Sequence, residues 1–178
     1  MIEKIEGKGR GIKIKFYLRD GSVEDAEQKG FVHFTSWKET YSDLMPKDYL
    51  DKLKLENCIN SAKEYPQNTI VAIADNIVVG FSGYLEDSRD IASVNPSSEI
   101  MAIYVLKKYQ KKGIGYALMQ ESLKRVTKSK VILFVLKGND NAINFYKKIG
   151  FDFTAHKYIR PIIGGELVEL EMVLQCEE

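Results

Sequence analysis

The run Tyr104-Val105-Leu106-Lys107-Lys108-Tyr109-Gln110-Lys111-Lys112-Gly113-Ile114-Gly115 constrains what this chain can fold into more than any other stretch. An apolar segment leads into it. After it Ile114, Ala117, Leu118, Met119, Leu123 and Val126 cover a broad helical face. The pattern is a strand that ends in a glycine-bearing loop and opens directly into a helix. The first turn of a helix leaves several N–H groups unpaired and carries the positive end of the helix dipole, so an anion placed there satisfies both. Gly113 and Gly115 lack a Cβ, which lets the main chain approach such a ligand closely. Lys107, Lys108, Lys111 and Lys112 surround the turn with positive charge. The loop does not follow the P-loop pattern Gly-x-x-x-x-Gly-Lys-Ser/Thr. It also lacks the full Gly-x-Gly-x-x-Gly fingerprint of a dinucleotide site.

The rest of the chain fits one domain around that unit, residues 12–178, behind a charged, glycine-rich lead-in at 1–11 that reads as flexible. Ile12 to Leu18 alternates as a strand does. Ser22 with Asp25 forms a cap for a first helix reaching about Tyr41, in which Gly30 stands as an irregularity. Tyr49, Leu50, Leu53, Ile59 and Ala62 predict a second helix between Pro46 and Pro66. Thr69–Ala74 and Ile77–Leu85 are β-branched runs joined by Asp75-Asn76, a pair that tolerates the left-handed angles of a tight hairpin. A polar loop from Glu86 to Ser98 precedes the strand Glu99 to Val105. Val131 to Leu136 reads as a buried strand. From Asp140 to Lys148, Ala142, Phe145, Tyr146 and Ile149 keep helical spacing up to Gly150, where a C-cap glycine belongs. Phe151–Ile159 and Leu167–Leu174 close the chain as two strands joined across Gly164-Gly165. The class is α/β or α+β with a mixed sheet.

Charge narrows the function. The chain carries 26 Lys and Arg against 25 Asp and Glu, which lacks the basic excess of a dedicated nucleic-acid binder. Cys58 and Cys176 lie far apart and form no Cys/His ligand pattern, so neither a disulfide framework nor a metal is expected. Neither a membrane-spanning run nor a signal peptide opens the sequence, which predicts a soluble cytoplasmic protein with no membrane partner.

Three motifs carry a resemblance to a known family. Gln110-Lys111-Lys112-Gly113-Ile114-Gly115 matches the pattern Gln/Arg-x-x-Gly-x-Gly/Ala of the GCN5-related N-acetyltransferases (GNAT), which in that family follows a strand. Upstream lies Ser98-Glu99-Ile100-Met101-Ala102-Ile103-Tyr104-Val105. Downstream, Asn139 to Phe151 is similar to the family's Asn-x-x-Ala-x-x-Phe-Tyr-x-x-x-Gly-Phe signature. The resemblance covers roughly Glu99 to Phe151. It implies a mixed, mostly antiparallel sheet of about seven strands with a splayed central parallel pair, and about four helices.

What the resemblance implies about chemistry is transfer of an acetyl group from acetyl-CoA to a primary amine of a small molecule or peptide, with no metal. Main-chain groups of Ile103 and Val105 would pair with the pantetheine arm, with the Val105 amide donating to the thioester oxygen, and Tyr104 between them is an expected cofactor contact. Amides of Lys111, Lys112, Gly113, Ile114, Gly115 and Tyr116 would hold the pyrophosphate, and Gln110, Asn139 and Tyr146 complete the expected cofactor contacts. An attacking amine must lose its proton, and Glu99 is the expected base. Tyr146 is the expected acid for the departing thiolate. His33, Trp37 and Tyr41, at i, i+4 and i+8 on the first helix, are candidates to border the acceptor. So are the acids Glu86, Asp87 and Asp90 in the long loop. His33, Trp37 and Tyr41 with Leu44-Met45-Pro46 and Tyr49-Leu50 resemble small bacterial acetyltransferases, some of them similar to polyamine acetyltransferases. A homodimer stays open, as do a non-catalytic CoA-binding sensor and a scaffold that uses the fold for interaction alone.

Overall fold

The computed structural model describes residues 5–6 and 14–176. Strand β1 (Ile5–Glu6) pairs antiparallel with β2 (Lys15–Asp20). The rest of the expected lead-in, and the Ile12 start of the expected first strand, lie outside the described residues. Between β2 and the first helix the chain turns on Asp25. Its carboxylate accepts the Ser22 N–H at 2.9 Å and two bonds from Arg19 at 2.7 and 2.6 Å. The Arg19 guanidinium holds the Asp25 carboxyl below its ordinary value.

Helix α1 (Ala26–Tyr41) follows a 3-10 turn at Val23–Asp25. Gly30 does not interrupt it. A Cβ there would lie 2.8 Å from the backbone N and Cα of Ile59, so the glycine is what lets a neighbouring helix press against α1. The expected second helix is two helices, α2 (Lys47–Leu50) and α3 (Leu55–Glu64). Their buried residues face different partners. Leu50 packs with Met45, Leu136 and Leu167, whereas Cys58 and Ala62 are buried where α3 lies along α1. One straight helix cannot serve both directions, and the chain turns through an extended Lys54.

The hairpin of β3 (Thr69–Ala74) and β4 (Ile77–Leu85) turns on Asp75 and Asn76, both left-handed at φ 51° and 60°. Alternation along β3 serves two cores. Ile70, Ala72 and Ala74 pack with Ile114 and Leu118, while Val71 and Ile73 pack with Val32 of α1. Then come β5 (Ser98–Val105), α4 (Ile114–Leu123), β6 (Lys130–Leu136), α5 (Asp140–Ile149), β7 (Asp152–Ile162) and β8 (Gly165–Gln175). Helix α4 stops at Leu123, short of Val126, which reaches the core from the following loop. That loop is pulled aside where Thr127 donates its N–H and hydroxyl to Glu86. Gly150, at φ 114°, ends α5 as its position in the sequence predicts.

The eight strands of the described residues form one sheet in the order β1-β2-β3-β4-β5-β6-β8-β7. Every neighbour pair is antiparallel except β5 and β6. Helices α4 and α5 cover one face, α1 and α3 the other. This is the mixed sheet with a central parallel pair that the resemblance implies, with β1 as a two-residue addition to the seven longer strands. No described helix is long and apolar enough to cross a membrane.

Candidate active site

The parallel pair β5 and β6 is a fork. The strands are in register only at Ser98 with Val131 and at Glu99 with Ile132. Beyond Glu99, β5 follows β4 as far as Val105 and β6 follows β8 as far as Leu136. A bulge starts the divergence. Ala102 faces Gly83 and Ile100 faces Tyr84, leaving Met101 as the extra residue that bends the strand. The Leu106 N–H donates to the Val79 carbonyl at 3.0 Å, and a Cβ on Gly80 would lie 2.8 Å from the Tyr104 oxygen. By the alternation of an antiparallel ladder, Ala102 and Tyr104 therefore turn their main-chain groups to β4, and Ile103 and Val105 turn theirs into the gap. The Gln110 side chain donates to the Val105 carbonyl at 2.9 Å, so within the protein it shapes the loop.

At the open end of the fork stands the first turn of α4. Lys111 at φ 58° and Gly113 at φ 85° reverse the chain into the helix. Among the described residues, no amide from Lys111 to Tyr116 donates to a protein acceptor; Ala117, to the Gly113 carbonyl at 2.9 Å, is the first that does. Six consecutive main-chain donors are thus left over at a positive helix end. Tyr109 steadies the loop through its hydroxyl, which donates to Asp75 at 3.1 Å in the β3–β4 turn. Lys108 and Lys112 each lie 5.5 Å from the centre of its ring.

The other wall is the start of β6–α5. Asn139 is buried and accepts the Ala142 N–H at 3.3 Å, capping α5. Phe145 reaches across to α4, where a Cβ on Gly115 would meet its ring at 3.7 Å. Tyr146 packs on Phe145 and Phe151, with ring centres 5.3 and 6.1 Å away. Burial, then the nearby Tyr41, pushes its phenol far above its ordinary value, so it holds its proton at neutral pH.

Three side chains of α1 converge on β5 from the opposite face. Trp37 donates from Nε1 to the Tyr104 hydroxyl at 2.8 Å. His33 stacks on the Tyr104 ring with centres 5.3 Å apart, and Trp37 meets Tyr41 edge-on at 5.2 Å. Burial, then the charge of Lys29, lowers His33 to about 4. The helix spacing that singled out His33, Trp37 and Tyr41 thus brings them to the fork, and Tyr104 is where they meet.

Glu99 sits at the crotch of the fork and is fully buried. Both its carboxylate oxygens are taken. Arg89 Nε lies 3.0 and 3.1 Å from them, and the Arg89 backbone N–H donates at 3.1 Å. The same loop is pinned again at Glu171, which accepts the Ser93 N–H at 2.8 Å and the Thr154 hydroxyl at 2.6 Å. Burial pushes Glu171 up, but these donors outweigh it and hold the carboxyl below its ordinary value. Of the loop acids, Glu86 is bound to Thr127 and Asp87 lies 3.2 Å from Lys128. Sequence reasoning missed Arg89 and Glu171. Arg89 carries no motif, and strand alternation sets Glu171 with Glu169 on the face opposite Leu170, Met172 and Leu174, so it reads as a polar position until Ser93 and Thr154 are seen to cover it.

The chain is similar in sequence and in fold to known acetyltransferases. The sequence profile of the acetyltransferase (GNAT) family matches residues 32–151. A spermidine N(1)-acetyltransferase of Thermoplasma acidophilum is 29% identical over 142 residues, 75% of this chain and 86% of that protein. An N-alpha-acetyltransferase of Sulfurisphaera tokodaii is 32% identical over 102 residues, 52% of this chain and 61% of its own length. Among solved structures, an N-acetyltransferase of Thermoplasma acidophilum in complex with coenzyme A superposes with a TM-score of 0.63 at 23% identity, covering 90% of this chain and 98% of that one.

Proposed function

The chain belongs to the acetyltransferase (GNAT) family, and from that premise we propose that it transfers an acetyl group from acetyl-CoA directly to a primary amine of a small molecule or peptide. The observation that carries this reading is the fork with its unspent donors. Strand edges at Ile103 and Val105 face a gap, and six amides at the head of α4 have no protein partner among the described residues. An extended pantetheine chain suits the first, and a pyrophosphate suits the second. Bound acetyl-CoA supplies an activated thioester.

This chain's own residues then act on the reacting atoms. In this reading the Val105 N–H donates to the thioester oxygen as negative charge builds on it. Tyr146 protonates the departing thiolate; burial makes its phenol a weaker acid than an exposed tyrosine, so the transfer depends on the thiolate leaving within hydrogen-bond reach of its hydroxyl. Glu99 takes the amine's proton through water, which requires Arg89 to release one carboxylate oxygen. His33, Trp37 and Tyr41 border the acceptor where they gather on Tyr104, and holding both substrates at the fork supplies much of the acceleration. The relatives support an amine acceptor, since one is named spermidine N(1)-acetyltransferase and three are named N-alpha-acetyltransferase.

Thiol release tests the reading. Purified protein given acetyl-CoA should liberate CoA thiol when offered a panel of primary amines. Tyr146→Phe should lower turnover roughly hundredfold or more with little change in acetyl-CoA affinity. Binding of acetyl-CoA without turnover on any amine would contradict the transfer reading, and unchanged turnover in the variant would remove the acid.

A further inference from the structure

On the α1 face of β5 a cavity of about 250 Å³ opens between α1, α3 and the sheet. Lys29, His33, Tyr65, Phe81, Met101 and Tyr104 are among its lining residues, so it begins at the aromatic cluster over the fork and runs toward the outside. Its mouth is marked by Tyr65 and Met101, both large exposed hydrophobics. Lys29 is the one charged side chain in the lining, because His33 is neutral at physiological pH. The Lys29 ammonium donates to the Thr69 hydroxyl at 3.1 Å and to the Tyr65 carbonyl at 3.3 Å, and lies 5.4 Å from the centre of the Phe81 ring. An ammonium has three protons, so one donor remains for the cavity. Among the described residues no carboxylate forms an ion pair with Lys29, and Asp25, one turn away on the chain, is committed to Arg19. Largely apolar walls with one cation, offset through space only by an Asp25 already paired with Arg19, favour an anionic ligand over a cationic one, more strongly than the same charges would in water.

We propose that this cavity receives the non-reacting end of the acceptor and that this end carries a carboxylate, paired with Lys29, while the amine reaches the fork beside Tyr104. The inference rests on the acetyl-transfer reading and narrows its acceptor. On α1, Lys29 and Trp37 stand eight residues apart, about 12 Å along the helix axis, so the acceptor has several bonds between carboxylate and amine. Lys29 is thereby a specificity-determining residue, and a linear polyamine, with a cation at that end, is a poor occupant.

Two measurements test this, one free of turnover. The chain has a single tryptophan, Trp37, hydrogen-bonded to the cavity residue Tyr104, so its fluorescence reports occupancy. Titration with hexanoate should change that signal, hexanamide should do so about tenfold more weakly, and Lys29→Met should erase the difference while Lys29→Arg keeps it. In thiol release, aminohexanoate should be acetylated about tenfold more efficiently than aminohexanamide, and Lys29→Met should bring that ratio near one. Amines acetylated with no carboxylate preference, and no response of Trp37 to hexanoate, would overturn the inference and leave acetyl transfer standing. A Trp37 response that needs Lys29, in a protein that acetylates no amine, would support the anion site and sink the transfer reading.

Discussion

Two glycines of one loop separate what the backbone requires from what a ligand requires. Gly113 enters α4 at φ 85°, a region an L-residue with a Cβ reaches only at a cost, whereas a Cβ on Gly115 would meet Phe145 and Val105 at 3.7 and 3.9 Å, ordinary contact distances. Gly113→Ala should therefore lose about 1 kcal/mol of stability together with acetyl-CoA affinity. Gly115→Ala should keep its stability or gain some through helix propensity. Thermal melts with acetyl-CoA titrations check both, and a destabilised Gly115→Ala would contradict the geometry. His33 sets a second residue-level expectation. Burial lowers it from 6.5 to about 4, so between those values the unfolded chain binds a proton that the folded chain does not. Stability should fall as pH drops from about 6.5 toward 4, and His33→Asn should flatten that part of a melting-temperature profile. A wild-type profile level across that window would show His33 to be less buried than described.

Among the elements, β5 gathers the most. Its bulge at Met101 opens the fork, its alternation divides main-chain groups between β4 and the gap, and its first residues anchor the Arg89 loop. Glu99 holds two assignments there, anchor and proton acceptor, which differ in their pH dependence. If it takes the amine's proton, Glu99→Gln should lose roughly hundredfold in kcat/KM at neutral pH, with the loss shrinking as pH approaches the amine's own pKa, because a free amine needs no base. A loss that stays constant with pH would leave Glu99 as an anchor only. Arg89→Ala strands a fully buried carboxylate, and should cost on the order of 3 kcal/mol in denaturant unfolding. Stability unaffected by that change would mean the pair holds nothing.

Across the whole molecule, what the sequence made legible is what local rules govern. The Asp75-Asn76 hairpin, the Gly150 cap and the α4 entry each follow from a few adjacent residues and their backbone preferences. The division of the second helix into α2 and α3 was hidden, because it depends on Leu50 and Ala62 finding different partners, Leu136 and Leu167 for one and α1 for the other. Arg89 was hidden for the same reason, since its meaning comes from Glu99 on another element. The His33, Trp37 and Tyr41 spacing showed a stripe, and only the fold supplied Tyr104 as its target. The central claim is that the β5–β6 gap and the head of α4 together hold acetyl-CoA. Amide hydrogen exchange with and without saturating CoA addresses it most directly. The account predicts slowed exchange at Ile103, Val105 and across Lys111 to Tyr116, with the rest of the sheet unchanged. No protection at those amides, or protection confined to another face, would contradict it.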